Sequence, residues 1–272
     1  MLLEVRTLST SHYKNMQSQG QNLMLMSSMI VLVTDFGLSG PYTGQVKAVL
    51  WREAPTCPVI DLFADAPMWD PQTAAYLLAA YVQIFPKDTV FLCVIDPGVG
   101  GGRLPVVVRA DGRWFIGPDN GLLELVMRRA QSGTIDAWQI EPPDAAVSAT
   151  FHGRDVFAPA TARIACGQAV PGRPIPPAAL RRPAWPDDLP RIVYIDVYGN
   201  AISGMRAATL PAAARVSVGG RCLSRARTFG EVLQGEAFWY ENANGLMEIA
   251  VNKGRAEQRL GVAVGAPIRV ER

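Results

Sequence analysis

An acid and a base seven residues apart, with four glycines between them, are the first chemical candidates in the chain: Asp96-Pro97-Gly98-Val99-Gly100-Gly101-Gly102-Arg103. The loop ends an apolar run over residues 89–95. A β-rich run that stops in a charged, glycine-dense loop suggests the carboxyl edge of a sheet, where open α/β folds place ligands. The glycines permit close backbone approach and positive φ, and the flanking residues can present one charge of each sign. A wide turn with an ordinary surface ion pair is the structural alternative.

Three more polar clusters close predicted elements: Thr34-Asp35-Phe36-Gly37, Gly117-Pro118-Asp119-Asn120-Gly121 and Phe151-His152-Gly153-Arg154-Asp155. His152 is one of two histidines and the only one beyond residue 28, which makes it a candidate for catalysis, although a lone histidine is more often structural than catalytic. A structural histidine is the competing reading. Asp35 reads equally as a ligand or as a turn or cap residue. Asp119 and Asn120 read as turn and N-cap residues, and Asp155 as the cap of the helix that follows.

Several common chemistries are poorly supported. One histidine, scattered cysteines and dispersed aspartates do not make a zinc set, so no metal is expected. The glycine loop lacks the Gly-Lys-Ser/Thr ending of a phosphate loop, and no dinucleotide fingerprint opens a helix. No Gly-x-Ser-x-Gly elbow occurs.

The elements that must position these groups follow an α/β order. Residues 29–37 form a continuous apolar run ending in polar residues, the pattern of a strand buried on both faces. A helix over 43–53 and a strand over 59–62 follow. Asp70 as cap and Pro71 at the first position open a helix that Pro86 closes. Residues 89–95 make a third strand. Asp111-Gly112 signals a hairpin between 105–109 and 114–116. A helix from Leu122, a strand over 135–140 and a helix to about Cys166 complete an N-terminal α/β domain over 29–168 with a mainly parallel sheet. Seven prolines between 170 and 190 predict an extended linker over 169–190. Short β-rich runs at 192–197, 215–218, 237–240, 247–251 and 268–270 predict a smaller all-β barrel or sandwich over 191–272.

A formal charge of +2 over 272 residues gives no electrostatic case for nucleic acid or an anionic membrane as partner. No apolar segment reaches the ~18–20 residues that span a bilayer. The four cysteines, Cys57, Cys93, Cys166 and Cys222, match neither zinc nor disulfide spacing, and read as buried free thiols of a cytoplasmic protein. Residues 1–28 read as a disordered extension with the fold beginning near Met29.

In order along the chain, Thr-Asp-Phe-Gly at 34–37, Asp-Pro-Gly-Val-Gly at 96–100 with Arg103, and Gly-Pro-Asp-Asn-Gly at 117–121 resemble the S-adenosyl-L-methionine hydroxide adenosyltransferase family. Phe-His-Gly-Arg-Asp at 151–155, Tyr-Ile-Asp-Val-Tyr-Gly-Asn at 194–200 and Glu-Ile-Ala-Val-Asn at 248–252 extend the resemblance from Met29 onward. The family is related to the fluorinase and chlorinase enzymes. Membership implies an α/β domain followed by a β-barrel, no cofactor, and a homotrimer whose active sites lie between subunits. The implied reaction is hydrolysis of S-adenosyl-L-methionine to adenosine and L-methionine. The resemblance assigns catalysis to Asp96, Arg103 and His152. An aspartate and a histidine can orient water and accept its proton, while an arginine stabilises developing hydroxide. Asp35 then matches the group that holds the ribose hydroxyls, and Trp69 an aromatic beside the sugar. Asp196 and Asn200 match contacts to the methionine amine and to adenine, and Asn242 and Asn244 lie in a turn with adenine and methionine contacts.

Two departures stand out: Gly40 where many relatives carry an acid, and Ala243 where a serine is common. Halogenating relatives resemble this chain but have Tyr and Ser in place of Asp96 and Gly153, which weighs against halide transfer to C5′. A non-catalytic binder of an adenosyl ligand is the remaining alternative.

Overall fold

The computed structural model describes residues 28–142 and 147–271. The expected N-terminal extension, with His12, therefore lies outside the described residues up to position 27. Strand β1 (Ile30–Thr34) sits inside a seven-stranded sheet, parallel to β2 (Val59–Phe63) on one side and β3 (Val90–Val94) on the other. The sheet continues through β5 (Arg113–Pro118), parallel to β3. Beyond it β4 (Pro105–Ala110), β6 (Ile135–Ile140) and β7 (Gly172–Pro174) run antiparallel to their neighbours.

Continuous hydrophobicity in β1 and β3 has a direct cause. Ile30, Leu32, Val90, Leu92 and Val94 pack to one face, against α1 (Tyr42–Glu53) and α4 (Ala158–Ala165). Val31, Val33, Phe91 and Cys93 pack to the other, against α2 (Pro71–Tyr81). Strand periodicity of two sends alternate side chains to opposite faces, so only a strand covered on both sides needs every position apolar. Each such side chain contributes about 1.5–3 kcal/mol by leaving water. The α2 start is as expected: Asp70 Oδ1 accepts from the Thr73 amide at 3.0 Å, and Pro71 occupies the first turn.

The proline-rich segment packs against the rest of the chain. β7 pairs with β6 at the sheet edge, where prolines are tolerated, and Leu180 is buried. Glu124, which opens α3 (Glu124–Arg128), is fully buried and binds Arg128, Arg181 and the Arg182 amide. This ties the segment back onto the α/β layer.

The C-terminal part is antiparallel throughout its strand pairs. One sheet is ordered β12 (Ala237–Glu241), β13 (Leu246–Val251), β9 (Ala201–Arg206), β8 (Leu189–Ile195). The other is ordered β11 (Arg221–Leu223), β10 (Arg215–Val218), β14 (Arg269–Glu271). Ile192, Val216, Trp239, Ile249 and Ile268 form its core, with a short helix α5 (Ala256–Leu260) against it. Leu189, Val193, Ile202 and Leu246 instead join the α2-side cluster of the α/β layer. The two parts thus share a core. Arg191 Nη2 donates to Thr73 Oγ1 at 2.8 Å across the same junction.

Two expectations are corrected. Cys57 and Cys93 are buried, but Cys166 and Cys222 are exposed; all four are free thiols. Asp155 does not cap α4. It lies inside a π-type turn (Gly153–Phe157), where its carboxylate accepts from Arg154 and from the Ser148 amide at 2.9 Å. It therefore holds the 148–155 loop rather than a helix end. Among the described residues, no helix is long and apolar enough to cross a membrane.

Candidate active site

The register of β1 and β3 brings the first two clusters together. Thr34 is the partner of Val94, so Asp35 and Asp96 leave the same sheet edge beside one another, where parallel α/β sheets place their ligands. Asn120 donates from Nδ2 to Ile95 O at 2.8 Å and accepts the Leu122 amide through Oδ1 at 3.2 Å. Asp119 pairs with Arg182. Both residues shape the turn that supports the loop carrying Asp96, but the N-cap expectation is corrected: the position before the helix Glu124–Arg128 is Leu123, and no side chain caps it.

Of the glycines in that loop, Gly100 has the clearest steric requirement. Its φ is +77°, and a Cβ there would lie 2.4 Å from Ala149 O. The glycine loop thus presses on the segment that leads into His152. That contact brings two stretches fifty residues apart into one cluster.

Arg103 is the centre of the cluster. It donates through Nε to both Asp96 oxygens at 3.1 Å, and through Nη2 to His152 Nδ1 at 2.8 Å. Its guanidinium also lies over the buried Phe157 ring, 5.3 Å from the centroid. The Asp96 and Arg103 side chains are only 5% and 9% exposed. Burial and the neighbouring Arg103 charge both hold the His152 pKa below its usual value.

Asp96 and His152 line a cleft of about 570 Å³ with Asp35, Phe36, Tyr42, Met68, Trp69, Phe151 and Gly153. Arg103 is not among the lining residues; it stands behind the aspartate and the histidine. Burial raises the Asp35 pKa, with a further upward push from Asp96, against the hydrogen bond from the Trp69 amide to Oδ2 at 3.0 Å. Trp69 itself has φ +57° and is 73% exposed. A large side chain held in a left-handed conformation stores about 1–3 kcal/mol, a cost found at ligand sites. Its ring is free to face a flat or sugar-like ligand. Tyr42 and Phe151 meet edge to face at 5.4 Å and close another wall.

The C-terminal candidates lie elsewhere in the chain. Asp196 and Asn200 line a separate cleft with Tyr198, Phe229, Tyr240, Glu248, Lys253 and Arg255. Asp196 Oδ1 accepts the amides of Tyr198 and Asn200, and Oδ2 accepts Asn200 Nδ2 at 3.1 Å, so the carboxylate also shapes its own turn. Asn242 is not among the residues lining that cleft. Its Oδ1 accepts the amides of Asn244 and Leu246, and its Nδ2 donates to Glu248 at 2.9 Å. Asn244 lines a third cavity with Gln83, Arg129 and Arg206.

Sequence reasoning assigned no role to Glu248. It is buried on β13, receives hydrogen bonds from Tyr240 and Asn242, and has its pKa raised by burial and by Asp196. An acid inside an otherwise apolar strand was the available signal. Tyr42, which lines the cleft, was also missed, because an aromatic at an element end looks like core until the cleft is seen. Gly40 has φ +104° in an exposed loop. Its backbone is one that an acid would adopt only with strain. Among the described residues, no three of His, Cys, Asp or Glu converge as a metal set.

The profile of the SAM hydroxide adenosyltransferase N-terminal domain matches residues 30–172, and that of the C-terminal domain matches residues 190–269. An (R)-S-adenosyl-L-methionine hydrolase of Thermus thermophilus is 39% identical over 273 residues, covering 89% of this chain and 98% of the relative. A fluorinase of Nocardia brasiliensis is more distant, at 24% identity over 51% of this chain and 54% of the relative. The crystal structure of an uncharacterized conserved protein from Thermotoga maritima superposes with a TM-score of 0.79 at 30% identity, covering 90% of this chain and all of that one. Two domain profiles in register over nearly all the described residues, with a full-length relative at this identity, leave one assignment: the chain belongs to the SAM hydroxide adenosyltransferase family.

Proposed function

We propose that this protein hydrolyses S-adenosyl-L-methionine to adenosine and L-methionine, using the Asp96–Arg103–His152 cluster. Water attacks ribose C5′ in line, the new C–O bond forms, and the C5′–S electron pair leaves on sulfur as a neutral thioether. The sulfonium charge activates its own leaving group, so a general acid is not required. The demand falls on the nucleophile, which must be held and relieved of a proton. The observation that carries the reading is a carboxylate and a neutral-leaning imidazole lining one cleft, both fixed by one buried guanidinium. Asp35 suits a pair of ribose hydroxyls, since a carboxylate can accept both.

Halide transfer is the nearest rival. A carboxylate at position 96 repels a halide, and Gly153 provides no hydroxyl; a Cβ there would lie 3.1 Å from Phe36 Cζ. Incubation with S-adenosyl-L-methionine and excess chloride will give adenosine and L-methionine as the main products. 5′-Chloro-5′-deoxyadenosine as the main product would overturn the reading. A non-catalytic binder would instead retain intact substrate, which mass spectrometry of the bound ligand detects.

The proposal includes a trimer with composite sites. Support comes from the two candidate clefts being lined by different residues within one chain, each with exposed large apolar side chains in its lining: Met68 and Trp69 on the first, Tyr198 and Phe229 on the second. Exposed apolar groups of this kind mark association surfaces. Co-expressing Asp96→Asn and Asp196→Asn chains, each inactive alone, will restore about one quarter of native activity, because one junction in four joins two intact halves in a closed ring. No restoration in mixed trimers sinks the composite site. The unpaired thiols suit a reducing compartment, the cytoplasm.

A further inference from the structure

The contact between Arg103 and His152 has a chemical consequence that separates the roles of the histidine and the aspartate. A guanidinium has five N–H donors and no acceptor. At 2.8 Å from Arg103 Nη2, His152 Nδ1 must therefore accept, through its lone pair. A neutral imidazole with an unprotonated Nδ1 carries its proton on Nε2. The polar group that His152 has left for the cleft it lines is then an N–H donor.

We infer that Arg103 is a positioning residue that locks His152 as its Nε2–H tautomer, so that His152 donates a hydrogen bond to the attacking oxygen while Asp96 takes the proton. In this arrangement the water oxygen accepts from His152 Nε2–H, and one water hydrogen points to an Asp96 oxygen. As the O–C5′ bond forms, that proton passes to Asp96, leaving a carboxylic acid, and the electron pair of the broken bond stays on sulfur. The proton then leaves to solvent. Asp96 has the capacity, since a carboxylate accepts about four hydrogen bonds and its protein donors come from a single arginine.

The surrounding charges fit this state. Arg103 and Asp96 face His152 from the loop after β3, Asp155 lies on its own turn, and Asp35 shares the cleft. Protonating Nδ1 would set two donors against each other and place a cation beside Arg103. That opposes the imidazolium, in agreement with the lowered His152 pKa. Should the imidazolium form as pH falls through that lowered value, the Arg103 contact and the alignment of Asp96 are lost together.

The roles rest on the hydrolytic reading, but the tautomer does not, and NMR reads it without turnover. With only two histidines in the chain, ¹⁵N-histidine labelling of the full-length protein and a His12→Asn control assign the signals. At pH 8 the His152 signals will show a bare Nδ1 and a protonated Nε2. A protonated Nδ1, as tautomer or as imidazolium, overturns the inference. Kinetics supply the second arm. The amide nitrogen of glutamine reaches the place of Nε2 and can donate, whereas that of asparagine reaches only the place of Nδ1. His152→Gln will stay within about tenfold of the parent and lose the acid limb of its pH–rate profile. His152→Asn will fall by about 10²–10³, the range for losing one preorganised hydrogen-bond donor at the reacting centre. Equal losses in two variants that melt with the parent would make His152 the base and overturn the division. If the native protein yields no adenosine, the hydrolytic reading fails while the tautomer measurement still stands.

Discussion

Asp96→Asn lowers the rate of adenosine release at saturating substrate by about 10²–10⁴-fold, with a much smaller change in KM. Asparagine preserves the shape of the side chain and one acceptor oxygen toward Arg103. It cannot take a proton from water at neutral pH, and its NH₂ turns a donor toward a guanidinium that has only donors. Two effects therefore combine, and they can be told apart. The chemical loss appears in kcat, because the acceptor is needed only as charge develops on the attacking oxygen. The structural loss appears in stability: Asp96 and Arg103 are both nearly buried, and removing one partner of such a pair costs about 3–5 kcal/mol when no acceptor remains. Asparagine keeps one acceptor, so the destabilisation should be well below that figure. Chromatographic assay of adenosine, with an unfolding midpoint for the same preparation, tests both parts. Turnover at the parent rate by a folded Asp96→Asn protein would remove Asp96 from the chemistry.

Much of the frame supporting that aspartate was legible in the residues. β1, β3 and α2 announced themselves through unbroken apolar runs, an aspartate cap and a proline at the first turn, each a local signal with a local cause. β9 was missed because Ser203 and Gly204 interrupt its apolar pattern. In the fold Ser203 is fully buried, donating from Oγ to Met247 O at 2.7 Å and accepting the Met205 amide. A satisfied hydroxyl in a core strand cannot be told from a turn residue before its partners are known.

The site divides in the same way. That Asp35 and Asp96 share an edge followed from two parallel strands. That Arg103 lies behind Asp96 and His152, rather than facing the cleft, depended on side-chain packing against Phe157, which has no sequence signal. Asn242 shows the converse: its amide is used within its own turn and by Glu248, although its resemblance-based role was substrate contact. Self-satisfied polar turns and ligand-binding ones use the same residue types.

The proline-rich segment yields the largest expected effect on stability. Glu124 is fully buried at the start of α3. Its Oε1 accepts from Arg128 Nε at 2.9 Å and Nη2 at 2.7 Å, while Oε2 accepts from Arg181 Nε at 3.1 Å and from the Arg182 amide at 2.8 Å. One carboxylate thus joins a helix to a stretch whose prolines prevent it from making a regular ladder of its own. Glu124→Ala removes every one of these acceptors, leaving Arg181 without its ion-pair partner and the Arg182 amide without its acceptor. The cost should be about 3–5 kcal/mol, the range for breaking a buried pair from one side. With a urea m-value near 3 kcal/mol/M, expected for a chain of this size, the midpoint falls by about 1–2 M. Glu124→Gln keeps one acceptor oxygen and should fall in between. Glu124 lines neither candidate cleft, so the adenosine-forming rate per folded chain should stay near that of the parent well below the midpoint. A midpoint that moves by less than about 0.3 M in urea would show that the segment is held by its apolar contacts, Leu180 foremost, and that the buried carboxylate contributes little.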